Sequence, residues 1–280
     1  MSDEAGHDPP PTAAGPWLDV AVLSDVGTER PHNEDFCGFF RAGASSVVAA
    51  VADGVSSFEG GEVASQKAVE VTLSVYRGQP ATVPVPKRLA RAVQQANIEV
   101  YDLATVVPEL RGMATTLTAV ALDGTDLWAA HIGDSRLYLL RGGRLTQLTK
   151  DHTVAAERRR MGLISAARAQ SHPERGTLTK CLGRELIVGA DRLSTRVGPG
   201  DVLVLCTDGL HNALDSDEIS RLAATEDAAS ACRALVDAAN ARGTADNLSA
   251  AVVRIVGKVG PTAAGRGVGG RLARLLGRGR

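Results

Sequence analysis

The chain shows two kinds of hydrophobic pattern, one with the period of a strand and one with the period of a helix. Apolar residues alternate with polar ones in residues 17–25 and 35–41, and they run without interruption through residues 47–52. Alternation indicates a strand with one buried face, and an uninterrupted run indicates a strand covered on both faces. We therefore predict three strands at the start of the chain, the last one over residues 46–53.

The helical pattern follows these strands. Between residues 60 and 105 apolar residues recur every three or four positions, which is the spacing of an amphipathic helix. This predicts one helix from Gly60 and a second helix over about residues 87–105. Strands separated by glycine turns come next. They are predicted at residues 115–122, 126–132, 135–141 and 144–149.

The second half of the chain contains a long polar segment. Residues 151–190 are rich in Arg, Gly and His, with a short helix predicted at 153–161, and we interpret the segment as an excursion from the sheet. Strands and helices do not alternate regularly, which favours antiparallel sheets with helices outside them, an α+β fold. The remaining predicted elements are a strand at 201–208, helices near 216–224 and 228–241, and a last strand at 247–256.

The two ends of the chain differ in composition from its body. Residues 1–16 are acidic and rich in proline, which predicts a flexible leader. Residues 257–280 hold six of the 31 basic residues and none of the 32 acidic ones. This basic tail is compatible with contact to an acidic partner or an anionic membrane surface, and a disordered soluble tail is the alternative. The near-zero net charge and 3% aromatic content argue against a nucleic-acid-binding protein.

Cysteine usage and hydropathy bear on the cellular compartment. The four cysteines are scattered and form no CxxC pair, which argues against a zinc knuckle. The amino-terminal residues have no apolar segment of the kind that signal peptides contain, and no apolar run approaches the length of a membrane span. We therefore expect a cytoplasmic protein without a transmembrane segment.

Acidic residues recur at the ends of the predicted strands. Carboxylates at strand ends can converge at one edge of a sheet, where they repel each other unless a cation lies between them. Oxygen ligands without a neighbouring His or Cys pattern favour Mg²⁺ or Mn²⁺. The alternative for each Asp-Gly pair taken alone is an ordinary turn. The acidic motifs are Asn33-Glu34-Asp35, Asp53-Gly54, Gly133-Asp134, Asp208-Gly209 and Asp246-Asn247.

With Arg30, which lies four residues before Glu34, these motifs form a set that resembles the metal-dependent Ser/Thr protein phosphatases (the PPM or type 2C family), in the order and spacing of the bacterial branch. The resemblance covers about residues 17–256 and implies a four-layer αββα sandwich of two antiparallel sheets flanked by helices. The matching motifs are Arg30-Pro31-His32-Asn33-Glu34-Asp35, Val51-Ala52-Asp53-Gly54, Gly61-Glu62-Val63-Ala64-Ser65, Thr115-Thr116-Leu117, Gly133-Asp134-Ser135-Arg136, Leu148-Thr149-Lys150-Asp151-His152, Thr207-Asp208-Gly209-Leu210 and Asp246-Asn247.

The resemblance implies a site with two Mn²⁺ or Mg²⁺ ions. Asp53 corresponds to the carboxylate that bridges the two ions, and the Gly54 carbonyl to a further ligand. Asp208 and Asp246 correspond to the other ligands of the first ion, and Glu34 to a ligand of the second. A water activated by these ions attacks phosphoserine or phosphothreonine in line, so no covalent phosphoenzyme is expected.

Four further roles follow from the same resemblance. Asp134, together with Asp208, corresponds to the pair that holds a third and weaker ion in bacterial members. Arg30 corresponds to the phosphate clamp, a role that suits the planar guanidinium. Asp35 corresponds to a residue that orients the ligands, and Asn247 to one that fixes the last loop.

Two positions depart from the family pattern. The general-acid His of many members falls on Phe58, so the leaving-group proton would come from water or another group, with His32 and His172 as candidates. An Asp found in some relatives is replaced by Asn212, which weakens the expected third-ion site. Neither change removes a principal ligand, and we therefore expect an active enzyme.

The expected partners are phosphorylated proteins, namely Ser/Thr kinases and their substrates, and the chain is expected to be a monomer that takes part in signalling. Residues 151–190 correspond to the mobile flap beside the active site in the family. Its run Glu157-Arg158-Arg159-Arg160 either contacts acidic or phosphorylated substrate or is a solvated helix face. The alternative functions are a catalytically weak module that binds phosphoproteins and, more narrowly, a phosphatase dedicated to an anti-sigma-type regulator.

Overall fold

Two antiparallel sheets stacked on each other, with helices on their outer faces, form the centre of the protein. The computed structural model describes residues 12–55 and 60–257. Every strand pair in these ranges is antiparallel. The α+β fold class and the αββα sandwich expected for it are therefore confirmed.

The first sheet has six strands, and it contains both the start and the end of the described chain. Its central strands pair over their full length, from Leu248 opposite Asp25 to Ile255 opposite Leu18. In spatial order the strands are β1 (Thr12–Ala14), β2 (Leu18–Asp25), β11 (Leu248–Ile255), β10 (Val202–Cys206), β7 (Arg136–Arg141) and β8 (Arg144–Gln147).

The second sheet has five strands, and one of them explains the uninterrupted apolar run of residues 47–52. In β4, odd-numbered residues from Val47 to Val51 pack into the core between the sheets, and even-numbered residues from Val48 to Ala52 pack under helices. A strand covered on both faces needs apolar residues at every position. In spatial order the strands are β3 (Asp35–Gly43), β4 (Ser46–Asp53), β5 (Leu117–Asp123), β6 (Asp126–Ile132) and β9 (Asp191–Arg196).

The helices cover the two outer faces of the sandwich. Small residues such as Ala68 and Ala92 lie fully buried against the second sheet, and Ala231 and Ala239 do the same against the first sheet. The helices are α1 (Gly61–Gly78) and α2 (Val85–Val106) on the second sheet, α3 (Val154–Arg160) and α4 (Ala166–Gln170) between β8 and β9, α5 (Asp208–Ala213) after β10, α6 (Ser216–Ala223) and α7 (Ala228–Ala241) on the first sheet, and a single 3-10 turn at Pro108–Leu110.

The predicted flexible leader over residues 1–16 is wrong at its end, because Thr12–Ala14 form β1 and pair with β2. Arg41 holds this short strand in place by donating hydrogen bonds to the carbonyls of Ala13 (3.0 Å) and Leu18 (3.1 Å). An arginine from a different strand provides this contact, so the local sequence gives no sign of it. Residues 1–11 and 258–280 lie outside the described residues.

Two other elements differ from the prediction. The strand predicted over residues 201–208 ends at Cys206, and Asp208 is instead the first residue of α5. The strand β9 was not predicted, because it is an edge strand whose alternate residues Arg192, Ser194 and Arg196 are exposed and polar. No helix among residues 12–55 and 60–257 is long and apolar enough to cross a membrane.

Candidate active site

A cleft of about 350 Å³ lies where strands of both sheets end. Asp53 ends β4, Asp134 lies two residues before β7, Asp208 follows β10 and Asp246 precedes β11. Because the strands are antiparallel, these ends meet on one side of the sandwich, as the sequence predicted. The cleft is lined by Asp53, Gly54, Val55, Thr116, Asp134, Gly176, Thr177, Leu178, Arg184, Asp208 and Asp246.

Threonine residues hold the backbone of Asp53. The Asp53 N–H donates to Thr116 Oγ1 (3.0 Å), and the Asp53 carbonyl accepts from the Thr116 N–H (2.9 Å) and from Thr115 Oγ1 (2.8 Å). The Thr116 hydroxyl also shares a 2.6 Å hydrogen bond with the Ser135 hydroxyl, next to Asp134. The backbone of Asp53 is thereby linked to the residue that follows Asp134 through the buried side chains of Thr116 and Ser135.

Close backbone contacts at two glycines bring the loops together. A Cβ on Gly54 would lie 2.4 Å from the Gly61 carbonyl carbon, and a Cβ on Gly209 would lie 2.1 Å from the Asn247 carbonyl oxygen. No other residue fits at these distances. The Gly54 N–H also donates to the Glu34 carbonyl (3.0 Å), which joins the segment before β3 to the end of β4.

The cleft carboxylates destabilise each other's charge. Burial raises the pKa of Asp53 well above its ordinary value, and the charges of Asp35, Asp208 and Asp134 raise it further. Burial and the charge of Asp208 raise the pKa of Asp134 in the same way. The pKa of Asp208 is raised by burial and by Asp246, although a hydrogen bond with Asp53 opposes the shift. Two carboxylates can share a hydrogen bond only if one is protonated, so the group needs a proton or a cation.

The residues of the cleft fit a hard divalent cation by their chemistry. Within the described part of the chain, no three His, Cys, Asp or Glu side chains already have a geometry that could hold a metal ion. Carboxylate side chains rotate readily, and their mutual repulsion persists in every rotamer, so this group of carboxylates favours a cation all the same. The side-chain atoms in the cleft that could bind a metal ion are oxygens, and oxygen ligands favour Mg²⁺ or Mn²⁺.

Arg30 and Glu34 lie beside the cleft and do not line it. The Arg30 guanidinium contacts the Asp246 carboxylate (3.1 and 3.2 Å) and donates to the Ala245 carbonyl (3.3 Å). The Glu34 carboxylate lies against the first residue of α1, since a Cβ on Gly61 would be 2.8 Å from Oε1. Burial raises the pKa of Glu34, and the charge of Arg30 opposes this shift.

Asn247 joins three backbone segments near the cleft carboxylates. Its amide nitrogen donates to the carbonyls of Val26 (2.8 Å) and His32 (2.9 Å), and its amide oxygen accepts from the Glu34 N–H (2.8 Å). The Asn247 N–H donates to the Asp246 carboxylate (3.0 Å). One side chain therefore sets the position of the segment that carries Arg30 and Glu34 relative to Asp246.

Asp35 lies behind Asp53 on the neighbouring strand. The two residues face each other in the β3–β4 register, and the Asp35 carboxylate accepts a 2.6 Å hydrogen bond from the Thr207 hydroxyl. Its other oxygen is buried without a hydrogen-bond partner. Burial raises the pKa of Asp35 to about 8, although the hydrogen bond from Thr207 opposes the shift. Asp35 therefore links β10 to the cleft without lining it.

The turn that carries Asp134 is held from both sides. His152 donates from its backbone N–H to the Gly133 carbonyl (2.8 Å), and its Nδ1 accepts from the Gly133 N–H (3.1 Å). The Arg136 guanidinium donates to both oxygens of Asp151, with a shortest distance of 2.7 Å. Both contacts connect the turn to the base of the flap segment, which begins at Asp151.

Sequence reasoning missed several residues of the cleft and misjudged others. Thr116 belongs to a quoted motif but had no role assigned, and Gly176, Thr177, Leu178 and Arg184 come from the polar flap segment, where no periodic pattern marks them. The proposed general-acid candidates His32 and His172 do not line the cleft. Asn212 donates to the Asp208 carboxylate (3.2 Å), and Phe58 lies outside the described residues.

The fold and the acidic cleft define a metal-dependent phosphatase of the αββα class. The family model for protein phosphatase 2C matches residues 28–253. The chain belongs to this family. The family, the fold and the enzyme class predicted from the motifs, a protein Ser/Thr phosphatase, are thereby confirmed.

Bacterial Ser/Thr phosphatases are similar to the chain over most of its length. The serine/threonine phosphatase Stp of Listeria monocytogenes is 32% identical over 234 residues, which cover 82% of this chain and 93% of Stp. The crystal structure of the Mycobacterium tuberculosis phosphatase PstP superposes with a TM-score of 0.77 at 34% identity, covering 86% of this chain and 99% of that one. A further structure of the PstP catalytic domain, with a TM-score of 0.73 and 32% identity, covers 86% of this chain and 99% of that one, and contains two manganese ions.

Proposed function

We propose that the chain hydrolyses phosphoserine and phosphothreonine in proteins at a dinuclear Mn²⁺ or Mg²⁺ site formed by Asp53, Asp208, Asp246 and the Gly54 carbonyl. The observation that carries this proposal is the group of mutually repelling carboxylates in one cleft. When bound, two divalent cations supply a water of lowered pKa and offset charge on the phosphoryl oxygens. The two manganese ions in a PstP structure support the same assignment.

The residues beside the cleft take distinct roles in this proposal. Glu34 serves the second ion, with its position set by the hydrogen bond from its N–H to Asn247. Arg30 pairs with Asp246 in the structure. Once a cation offsets the charge of Asp246, the Arg30 guanidinium becomes available to orient the phosphoryl oxygens. Asp35 orients the ligands from behind through its contact with Thr207.

A third and weaker ion is proposed between Asp134 and Asp208, which both line the cleft. The Asn212 amide donates a hydrogen bond to the Asp208 carboxylate. An Asp at position 212 would instead add a negative charge. This hydrogen bond occupies one carboxylate oxygen without adding a ligand charge, so the third ion is bound more weakly than the first two.

The proposed substrates are phosphorylated Ser/Thr kinases and their substrates, and the chain would act in the cytoplasm as a monomer. Cys37, Cys181, Cys206 and Cys232 are free thiols, which fits a reducing compartment. The names of the similar bacterial proteins as Ser/Thr phosphatases support the substrate class.

The test is release of phosphate from a phosphothreonine peptide with and without millimolar Mn²⁺, by the wild type and by Asp208→Ala. We expect manganese-dependent release that the substitution abolishes. Asp237→Asn removes an exposed carboxylate on α7 and serves as the matched control. Tight binding of the peptide by folded, manganese-loaded wild type without release would contradict the proposal and favour a phosphoprotein-binding module.

A further inference from the structure

Arg184 brings a positive charge to a cleft whose other charged lining residues are all carboxylates. It lines the cleft together with Gly176, Thr177 and Leu178, which also belong to the flap segment, residues 151–190. We propose that Arg184 is a specificity-determining residue that binds an acidic side chain next to the phosphorylated residue of the substrate. This inference rests on the proposed phosphatase function.

A buried amide fixes the loop that carries Arg184. Asn97, on α2, is fully buried, and its amide nitrogen donates to the carbonyls of Glu185 (2.8 Å) and Leu186 (3.0 Å). Its amide oxygen accepts from the Gly183 N–H (3.0 Å). Asn97 therefore binds the backbone on both sides of Arg184, and a buried amide with all these partners holds one conformation.

A second anchor ties the same loop to the strand end at the active site. Leu182 exchanges two backbone hydrogen bonds with Thr115, at 2.8 and 3.2 Å, and Thr115 in turn binds the Asp53 carbonyl. Gly183 has a φ of +91°, and a Cβ there would lie 2.7 Å from the Met113 carbonyl oxygen. The backbone at Arg184 is thus placed relative to Asp53 by contacts that do not involve the rest of the flap.

The position and the surroundings of Arg184 favour a carboxylate of the substrate as its ligand. The carboxylates Asp53 and Asp208 are only partly exposed, whereas Arg184 is exposed at the rim and so faces the residues that flank the phosphorylated one. The flap segment holds seven basic and four acidic side chains, which attracts an acidic peptide. The rigid fork of a guanidinium matches a carboxylate with two hydrogen bonds.

The experiment compares kcat/KM for two phosphothreonine peptides that differ only beside the phosphorylated residue, where one carries Glu and the other Lys. The wild type is expected to prefer the Glu peptide. Arg184→Glu should lower the Glu-to-Lys ratio of kcat/KM by about tenfold, because it exchanges an attractive exposed contact for a repulsive one. Arg221→Glu makes the same charge change at an exposed position of α6 and should keep the wild-type ratio.

Asn97→Leu tests whether the hydrogen bonds of Asn97 hold the loop that carries Arg184. In the wild-type background it should lower the Glu-to-Lys ratio of kcat/KM, as Arg184→Glu does. Added to Arg184→Glu, it should lower the ratio no further. A ratio that Arg184→Glu and Arg221→Glu change equally, or that neither changes, would overturn the assignment.

Hydrolysis of p-nitrophenyl phosphate separates the two proposals. Wild type that hydrolyses neither this ester nor the peptides overturns the proposed function and the inference with it, whereas turnover with an unchanged ratio overturns the inference alone.

Discussion

The acidic cleft and the outer part of the flap segment, residues 154–175, are each held in place by a different kind of contact. In the cleft, the Asp53 N–H donates to the Thr116 hydroxyl and the Asp53 carbonyl accepts from the Thr115 hydroxyl, and both threonines are buried. In the flap segment, the contact between Arg158 and Glu174 (2.8 Å) joins side chains that are 43% and 44% exposed. Buried contacts with short distances hold a geometry, whereas exposed ion pairs contribute little to it.

The difference shows where this protein can change without loss of chemistry. The buried backbone contacts at the strand ends hold the acidic side chains of the cleft in place. Exposed ion pairs of the flap segment can be exchanged at little cost in stability. The junction between the two regions is the pair of Arg136 and Asp151, whose side chains are 25% and 16% exposed.

The largest effect is expected from Asp53→Asn in the cleft. Manganese-dependent turnover should fall by about a thousandfold or more, since a metal centre contributes several kcal/mol to the transition state. The metal-free variant should melt at a higher temperature than metal-free wild type, because one of the repelling charges is gone. Hydrolysis of p-nitrophenyl phosphate and thermal melting measure the two effects. Unchanged turnover would place the chemistry elsewhere.

The next largest effect is expected at the junction, for Arg136→Met. Although burial favours the neutral acid, the Arg136 guanidinium holds the pKa of Asp151 below its usual value. Removing the guanidinium leaves a largely buried carboxylate without its partner, which should cost about 3 kcal/mol in urea unfolding. The double variant Arg136→Met/Asp151→Leu should recover part of this loss. A single variant as stable as wild type would show that the junction contributes nothing to the cleft.

Gly54→Ala tests the close backbone contact at the cleft. The added Cβ would lie 2.4 Å from the Gly61 carbonyl, so α1 or the end of β4 must shift, at a cost of about 2 kcal/mol. The matched control is Gly189→Ala, since a Cβ at Gly189 meets no atom within 4 Å. Equal unfolding free energies for the two variants would argue against a tightly packed strand end.

The smallest effect is expected in the flap segment, for Arg158→Met. The contacts of Arg158 with Glu174 and His172 are partly exposed, so the free energy of unfolding should fall by less than about 1 kcal/mol. Salt should reduce even this loss, because it screens exposed charges. A loss as large as that of Arg136→Met would remove the distinction between the two regions.

The sequence predicted the grouping of the acidic residues because each of them carries a local signal. Asp53 follows a long apolar strand, and Asp134 and Asp246 lie in turns before strands. A polar residue at the end of a buried strand is recognisable without knowing its spatial neighbours. The β11 and β4 strands were likewise predictable from their apolar patterns.

The remaining features depend on contacts between distant parts of the chain. Arg30 meets Asp246 across 216 positions, and Asn97 meets Leu186 across 89. Arg184 reaches the cleft because of the second of these contacts, and no local pattern marks it. The edge strands β1 and β9 escaped prediction for a related reason, since an edge strand needs no continuous apolar face and its pairing partner decides its conformation.

The central claim is that the cleft carboxylates repel each other until a divalent cation binds. Its most direct test is the melting temperature from pH 5 to pH 8 with and without Mn²⁺. The raised pKa values mean that the folded protein binds protons more tightly than the unfolded chain. The contribution of these carboxylates to stability without metal should therefore fall as the pH rises from the ordinary value of 3.8 towards the folded value, about 8 for Asp35. Burial lowers the pKa of His131 to about 4 and that of His211 to about 3, which acts in the opposite direction with and without metal, so the comparison with and without Mn²⁺ isolates the carboxylates. Mn²⁺ should raise the melting temperature, and more at pH 8 than at pH 5. Equal melting temperatures with and without Mn²⁺ at pH 8 would contradict the account.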